Sequence, residues 1–166
     1  MTVKNSLPEK SQILTGLVEV RQKILAACAA LPPEKRERIF LGTWSVKDLL
    51  AHLAGWDYTN MQAARDVIAG QIPFFYADQD RDWRFYNAKL VEEYKQERFD
   101  ALLVFVSQSH QHLINFLQAI PEEEFNRDRG IRAKGWKVTI ARLLMAEIKD
   151  EETHYQQIQT LAADGS

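Results

Sequence analysis

Apolar residues in this chain recur at three- and four-residue spacing in four long stretches, and no stretch shows the two-residue period of a half-buried strand. Ile13, Leu17, Ile24, Cys28 and Leu31 mark the first stripe, which predicts a helix over 8–31 with Pro8 in its opening turn. "LPPEKRERIFLGT" ends it, because two prolines cannot continue the helical backbone ladder. Ser45 and Asp48 then form a capping box with Asp in place of Glu or Gln, and Val46, Leu49, Leu53, Ala64 and Val67 carry a second helix over 45–69. A third region is expected over 85–119, bent near Arg98 to Asp100, with Phe99, Leu102, Val106, Leu113 and Leu117 inward and Pro121 beyond its end. The last helix is expected over 137–161, on Ile140, Leu143, Leu144, Ile148, Ile158 and Leu161.

Four amphipathic helices without βα alternation predict an all-α fold, an up-down four-helix bundle built from residues 1–166 as a single domain. Two long connections leave room for a crossover. One of them, "GQIPFFYADQDRDW", carries Phe74, Phe75, Tyr76 and Trp83, so it reads as an ordered aromatic loop rather than a linker. The segments "EVRQK", "VEEYKQER" and "EEEF" read as solvated faces, which leaves little apolar outer surface, although a homodimer through one helix pair stays open.

Composition narrows the function classes. With 21 Lys plus Arg against 23 Asp plus Glu, the net charge of −2 supplies no overall field for a polyanion, so no nucleic-acid partner is expected. No apolar run approaches the ~20 residues of a membrane-spanning helix, so no membrane partner is expected either. One cysteine, Cys28, cannot form an internal disulfide, and "MTVKNSLPEKSQ" lacks the apolar core of a secretory signal, which together predict a cytoplasmic protein. Cys28 lies on an apolar stripe and is a poor nucleophile.

The last helix carries the chemistry. A seam through Ile140, Leu144, Glu147, Glu151, His154, Ile158 and Leu161 has a polar middle where a bundle helix normally places leucine. Burying carboxylates costs several kcal/mol unless a cation or hydrogen bonds offset it, so a compensating charge is expected there. Asp150 and His154, four residues apart, project from one face and can converge on one ion, with His52 of the second helix as a third ligand. Two imidazoles and a carboxylate suit a divalent Zn, Ni, Mn or Fe and leave positions for water or substrate. Glu151 or Glu147 would then accept the proton of an attacking water. A water-bridged polar network without metal is the alternative. His110 lies on the inner seam of the third helical region, either as a member of the site or as a hydrogen-bonded core residue. Trp56, Trp83, Tyr86 and Trp136 are expected to wall a pocket for a flat or apolar small molecule, or simply to cover one bundle end.

"LPEKSQIL", "TWSVKDLLAHLAGWD", "WRFYNAKL", "SQSHQHLINFLQAIPEEEF", and "KGW" before "THYQQI" in this order resemble the DinB-like superfamily of helical bundles. The resemblance is closer to its ClbS/DfsB-like, colibactin self-resistance branch. It implies a four-helix bundle that often binds a divalent metal through one histidine on the second helix and an H-x-x-x-H pair on the last. By motif position these become His52, Asp150 and His154, with Asp150 departing from the usual histidine. The resistance branch is associated with hydrolytic opening of a reactive cyclopropane and need not use that triad. The expectation is therefore a small-molecule enzyme that hydrolyses or detoxifies an electrophile, with or without metal assistance. A sequestering protein without turnover and a thiol transferase are the alternatives.

Overall fold

The computed structural model describes residues 8–77 and 83–165. Its long helices are α1 (Lys10–Ala30), α3 (Val46–Ile68), α5 (Trp83–Tyr94), α6 (Phe99–Ala119) and α8 (Ile140–Ala163). One-turn helices α2 (Pro33–Arg36), α4 (Phe74–Ala77) and α7 (Glu122–Phe125) lie in the connections. Strands β1 (Arg132–Ala133) and β2 (Trp136–Lys137) form an antiparallel hairpin.

The path of the chain follows from two apolar clusters, one toward each end of the bundle. The first joins Ile13 and Leu17 to Met61, Val67, Leu113, Leu117, Ile140 and Leu144; the second joins Ile24 and Cys28 to Val46, Leu49, Leu102, Val106 and Ile158. Hence α1 and α8 run one way and α3 and α6 the other. The chain still alternates direction at every step, because α5 runs back along α3 from Thr59, which bonds Tyr86, to Lys47, which bonds the Glu97 carbonyl. α1 packs along α8 and α3 along α6.

Three sequence expectations change. The third helical region is two helices running in opposite directions rather than one bent helix. The break holds neither Pro nor Gly and is fixed by tertiary contacts: Lys47 Nζ donates to Glu97 O at 2.6 Å, and Tyr94 stacks on Tyr58. The last helix starts at Ile140 rather than 137, because Trp136 and Lys137 pair with β1 and Thr139 caps α8 by accepting from the Arg142 N–H. The segments read as solvated also contribute to the core, since Val20 and Arg21 of "EVRQK" and Phe125 of "EEEF" are buried. The capping box is present, with Ser45 N–H donating to Asp48 Oδ2 at 2.8 Å. Of the aromatic connection, Phe74–Ala77 is helical, while residues 78–82 lie outside the described residues.

Gly55 sets how closely α5 approaches α3, and with it the position of the aromatic wall. A Cβ there would lie 2.8 Å from Leu90 Cβ, inside contact distance. Gly55→Ala is expected to displace α5 and destabilise by about 1–3 kcal/mol from overpacking, less the ~1 kcal/mol that alanine returns in helix propensity. A thermal midpoint at or above that of the parent protein would contradict this.

Candidate metal centre

His52 faces inward from the second turn of α3, between Trp44 and Trp56, whose ring centroids lie 4.9 and 6.3 Å away. It is 4% exposed, and neither ring nitrogen has a hydrogen-bond partner. Orphaned polar atoms of this kind cost about 1–3 kcal/mol each. Burial, with the nearby His154 and Arg21, pushes its pKa down to about 3, so the imidazole is neutral and one of its ring nitrogens offers a lone pair. The edge of the His154 ring meets it with centroids 5.4 Å apart.

On α8 the i, i+4 spacing brings Asp150 Oδ2 to 3.2 Å from His154 Nε2. Gln157 Oε1 accepts from His154 Nδ1–H at 2.8 Å, which leaves Nε2 with its lone pair toward the carboxylate unless a proton or a cation stands between them. Burial would lower the His154 pKa, but the bond and charge of Asp150 outweigh it, and the value lies above the ordinary one. One ligand atom from each of His52, Asp150 and His154 falls within 4.8 Å of the others. A neutral, unpartnered imidazole, a second imidazole oriented by an amide and a half-exposed carboxylate together fit a divalent ion.

This centre opens on a chamber of about 400 Å³, whose lining includes Trp56, Asn60, Trp83, Glu147 and Asp150. Trp56 is fixed by its indole N–H, which donates to Asn87 Oδ1 at 2.9 Å, and by Phe75 and Trp83 at 5.6 and 5.9 Å. Glu147 is buried, and burial followed by repulsion from Glu151 pushes its pKa up to about 8, against the opposing pull of Asn60 and Arg21.

Three site expectations need correction, and His110 takes the second of its two readings. Glu151 does not face the chamber: it is fully buried, and Arg21 of α1 donates to both its oxygens, from Nε at 3.0 Å and Nη2 at 2.6 Å. The same guanidinium grips Asp57 of α3 at 2.8 and 3.0 Å, and Ser109 Oγ adds a 2.6 Å bond to that aspartate. His110 belongs to this network, with Nδ1 3.4 Å from Asp57 Oδ1, and not to the metal centre. Tyr86 stands behind the wall, bonding Thr59 at 2.8 Å and packing on Trp56. Trp136 borders a neighbouring cavity instead.

Sequence reasoning missed Arg21 and Asp57. Both carried a signal: Leu17, Arg21, Ile24 and Cys28 fall on one inward stripe, as do Leu50, Leu53 and Asp57. Asp57, His110 and Glu151 would themselves suit a cation, and Arg21 fills that role.

Residues 17–158 match the DinB superfamily, and the chain belongs to it. The fold is similar to that of the colibactin self-resistance protein ClbS, solved in complex with a dsDNA, with a TM-score of 0.77 at 15% identity over 97% of this chain and 100% of that one. Uncharacterised proteins from Escherichia coli UTI89 and Clostridium difficile 630 give TM-scores of 0.71 and 0.72 at 17% and 13% identity. They are covered over 94% and 96% of their lengths, and each alignment takes in 94% of this chain. No curated protein sequence matches the chain.

Proposed function

We propose that this protein hydrolyses a reactive small-molecule electrophile with the help of a divalent metal held by His52, Asp150 and His154. One observation carries the reading: a buried histidine with two unpartnered ring nitrogens points at an Asp–His pair beside an aromatic chamber. The ion, when bound, would act as a Lewis acid and lower the pKa of coordinated water. The residues do the rest. Trp56 and Trp83 hold a flat apolar body and exclude bulk water. Glu147, rather than Glu151, is the proton-transfer group, because it lines the chamber and its carboxyl titrates close enough to neutrality to give or take a proton. Glu151 holds Arg21 and, through its grip on Asp57, ties α8 to α3, the two helices that carry the ligands. The similarity to a self-resistance protein supports a detoxifying role.

The ligand we favour is a small molecule rather than DNA, despite the dsDNA bound to ClbS. Of the cations around the hairpin, Arg127 and Arg129 are paired with Glu124, and Arg132 and Lys137 with Asp128. Lys134 and Arg142 remain unpaired there among the described residues, two charges against the many phosphates of a duplex.

Metal content of protein purified without a histidine tag tests the reading directly. One ion per chain is expected, lost in both His52→Ala and His154→Ala. Metal retained in His52→Ala would remove the proposed centre. Full hydrolysis in chelated protein would instead favour a metal-independent hydrolase, and saturable binding without turnover would favour sequestration.

A further inference from the structure

Beside the metal-side chamber lies a second cavity of about 330 Å³, between the β1–β2 hairpin and the first turn of α8. Phe75, Tyr76, Trp83 and Leu143 line both, so the two spaces adjoin across one aromatic wall. Trp136, 72% exposed, stands at the outer rim. Lys134, Lys137 and Arg142 also line this cavity, and no carboxylate among the described residues does. Lys137 is paired with Asp128 at 3.2 Å, whereas Lys134 and Arg142 have no ion pair among the described residues.

Both unpaired cations stand against their local preference. Lys134 has φ +49 and precedes Gly135 at φ +80 in a two-residue hairpin turn, a geometry that favours Asn, Asp or Gly at its first position. Arg142 sits in the first turn of α8, where the helix dipole opposes a cation and where no acidic side chain offsets it. Two separate departures from local preference that meet on one cavity are what a bound anion would explain, since sites that break local rules tend to be functional ones.

We propose that this cavity is an anion subsite, in which Lys134 and Arg142 bind the carboxylate-type group of an aromatic or apolar small molecule whose body lies against Trp136 and Trp83. Charge-assisted bonds from two cations fix the anionic end, and the shared wall directs the rest toward the metal-side chamber. The substrate class is thus an amphipathic organic anion. This rests on the small-molecule reading above, but not on the metal.

Anilinonaphthalene sulfonate and its uncharged counterpart N-phenylnaphthylamine, titrated by fluorescence into metal-free protein, separate the terms. The sulfonate is expected to bind saturably and about tenfold more tightly than the neutral probe. Lys134→Asn and Arg142→Gln should each weaken it about tenfold, leave the neutral probe within about twofold, and not lower the thermal midpoint, because each restores a local preference. His52→Ala should leave sulfonate binding intact, so a failure of the metal proposal is read separately. Equal affinity for the two probes in the parent protein, or equal losses for both probes in the variants, would overturn the subsite.

Discussion

Arg21→Met is expected to destabilise the protein by about 3–5 kcal/mol at neutral pH, since removing one partner of a buried ion pair leaves uncompensated charge behind. For a chain of this size that lowers the thermal midpoint by about 6–20 °C. The guanidinium is 1% exposed and makes four hydrogen bonds to Asp57 and Glu151, so its loss strands two buried carboxylates. Methionine fills much of the volume, which keeps the effect electrostatic rather than cavity-driven. A pH dependence follows. Burial works to raise the Asp57 pKa, but the charge and bonds of Arg21 hold it below the ordinary carboxylate value. That contribution is present above the unfolded value and is lost as the pH falls through the folded one. In the variant the stranded acids favour protonation, so the deficit should shrink on acidification. Urea unfolding of both proteins at neutral and acidic pH measures this. Adding Asp57→Asn and Glu151→Gln to Arg21→Met should recover most of the loss. A deficit under about 1 kcal/mol that does not change with pH would mean the network is not an energetic centre.

The three-and-four spacing made the helices legible, but not the route between them. Periodicity reports which face is buried; it does not report where a helix stops when the stop is set by another helix. A bend was legible near Arg98 to Asp100, but the reversal between α5 and α6 rests on Lys47 and Tyr58, residues tens of positions away, and nothing in "KQER" announces that the chain turns back. The two-residue strands were hidden for a related reason, since Lys134–Gly135 is an uncommon turn pair and the strands it joins are too short to alternate.

The site was legible where geometry within one helix decides it. Asp150 and His154 follow from four-residue spacing, and His52 from its place on the buried face of α3. The polar middle of the α8 seam also called for a compensating cation, and that demand has a different answer at each level of the bundle. Glu151 is answered within the chain by Arg21; Asp150, which is half exposed, is answered by His154 and, in our reading, by the metal. Arg21 escaped notice because long cations usually extend to solvent, so "EVRQK" read as a surface. Only the facing carboxylates, from two other helices, distinguish the buried case.

Glu147→Gln should separate proton transfer from metal binding. The substitution keeps the shape of the side chain and leaves His52, Asp150 and His154 in place, so the ion content should match that of the parent protein. Turnover of an electrophilic substrate should fall by ~10²- to 10⁴-fold, the usual cost of removing a general acid or base. Stability should move the other way. In metal-free protein the folded state holds the Glu147 proton up to about pH 8, while the unfolded chain releases it near 4.5. Between those values the folded state binds more protons than the unfolded one, so stability falls as pH rises through this window and levels off above it. Glutamine does not ionise. The variant should therefore show a flatter stability curve than the parent across the window and a higher thermal midpoint at its alkaline end, a gain in stability bought with activity. Parallel stability curves would mean that Glu147 titrates as an ordinary carboxylate. Unchanged turnover with intact metal content would remove it from the chemistry and leave proton transfer to solvent in the chamber.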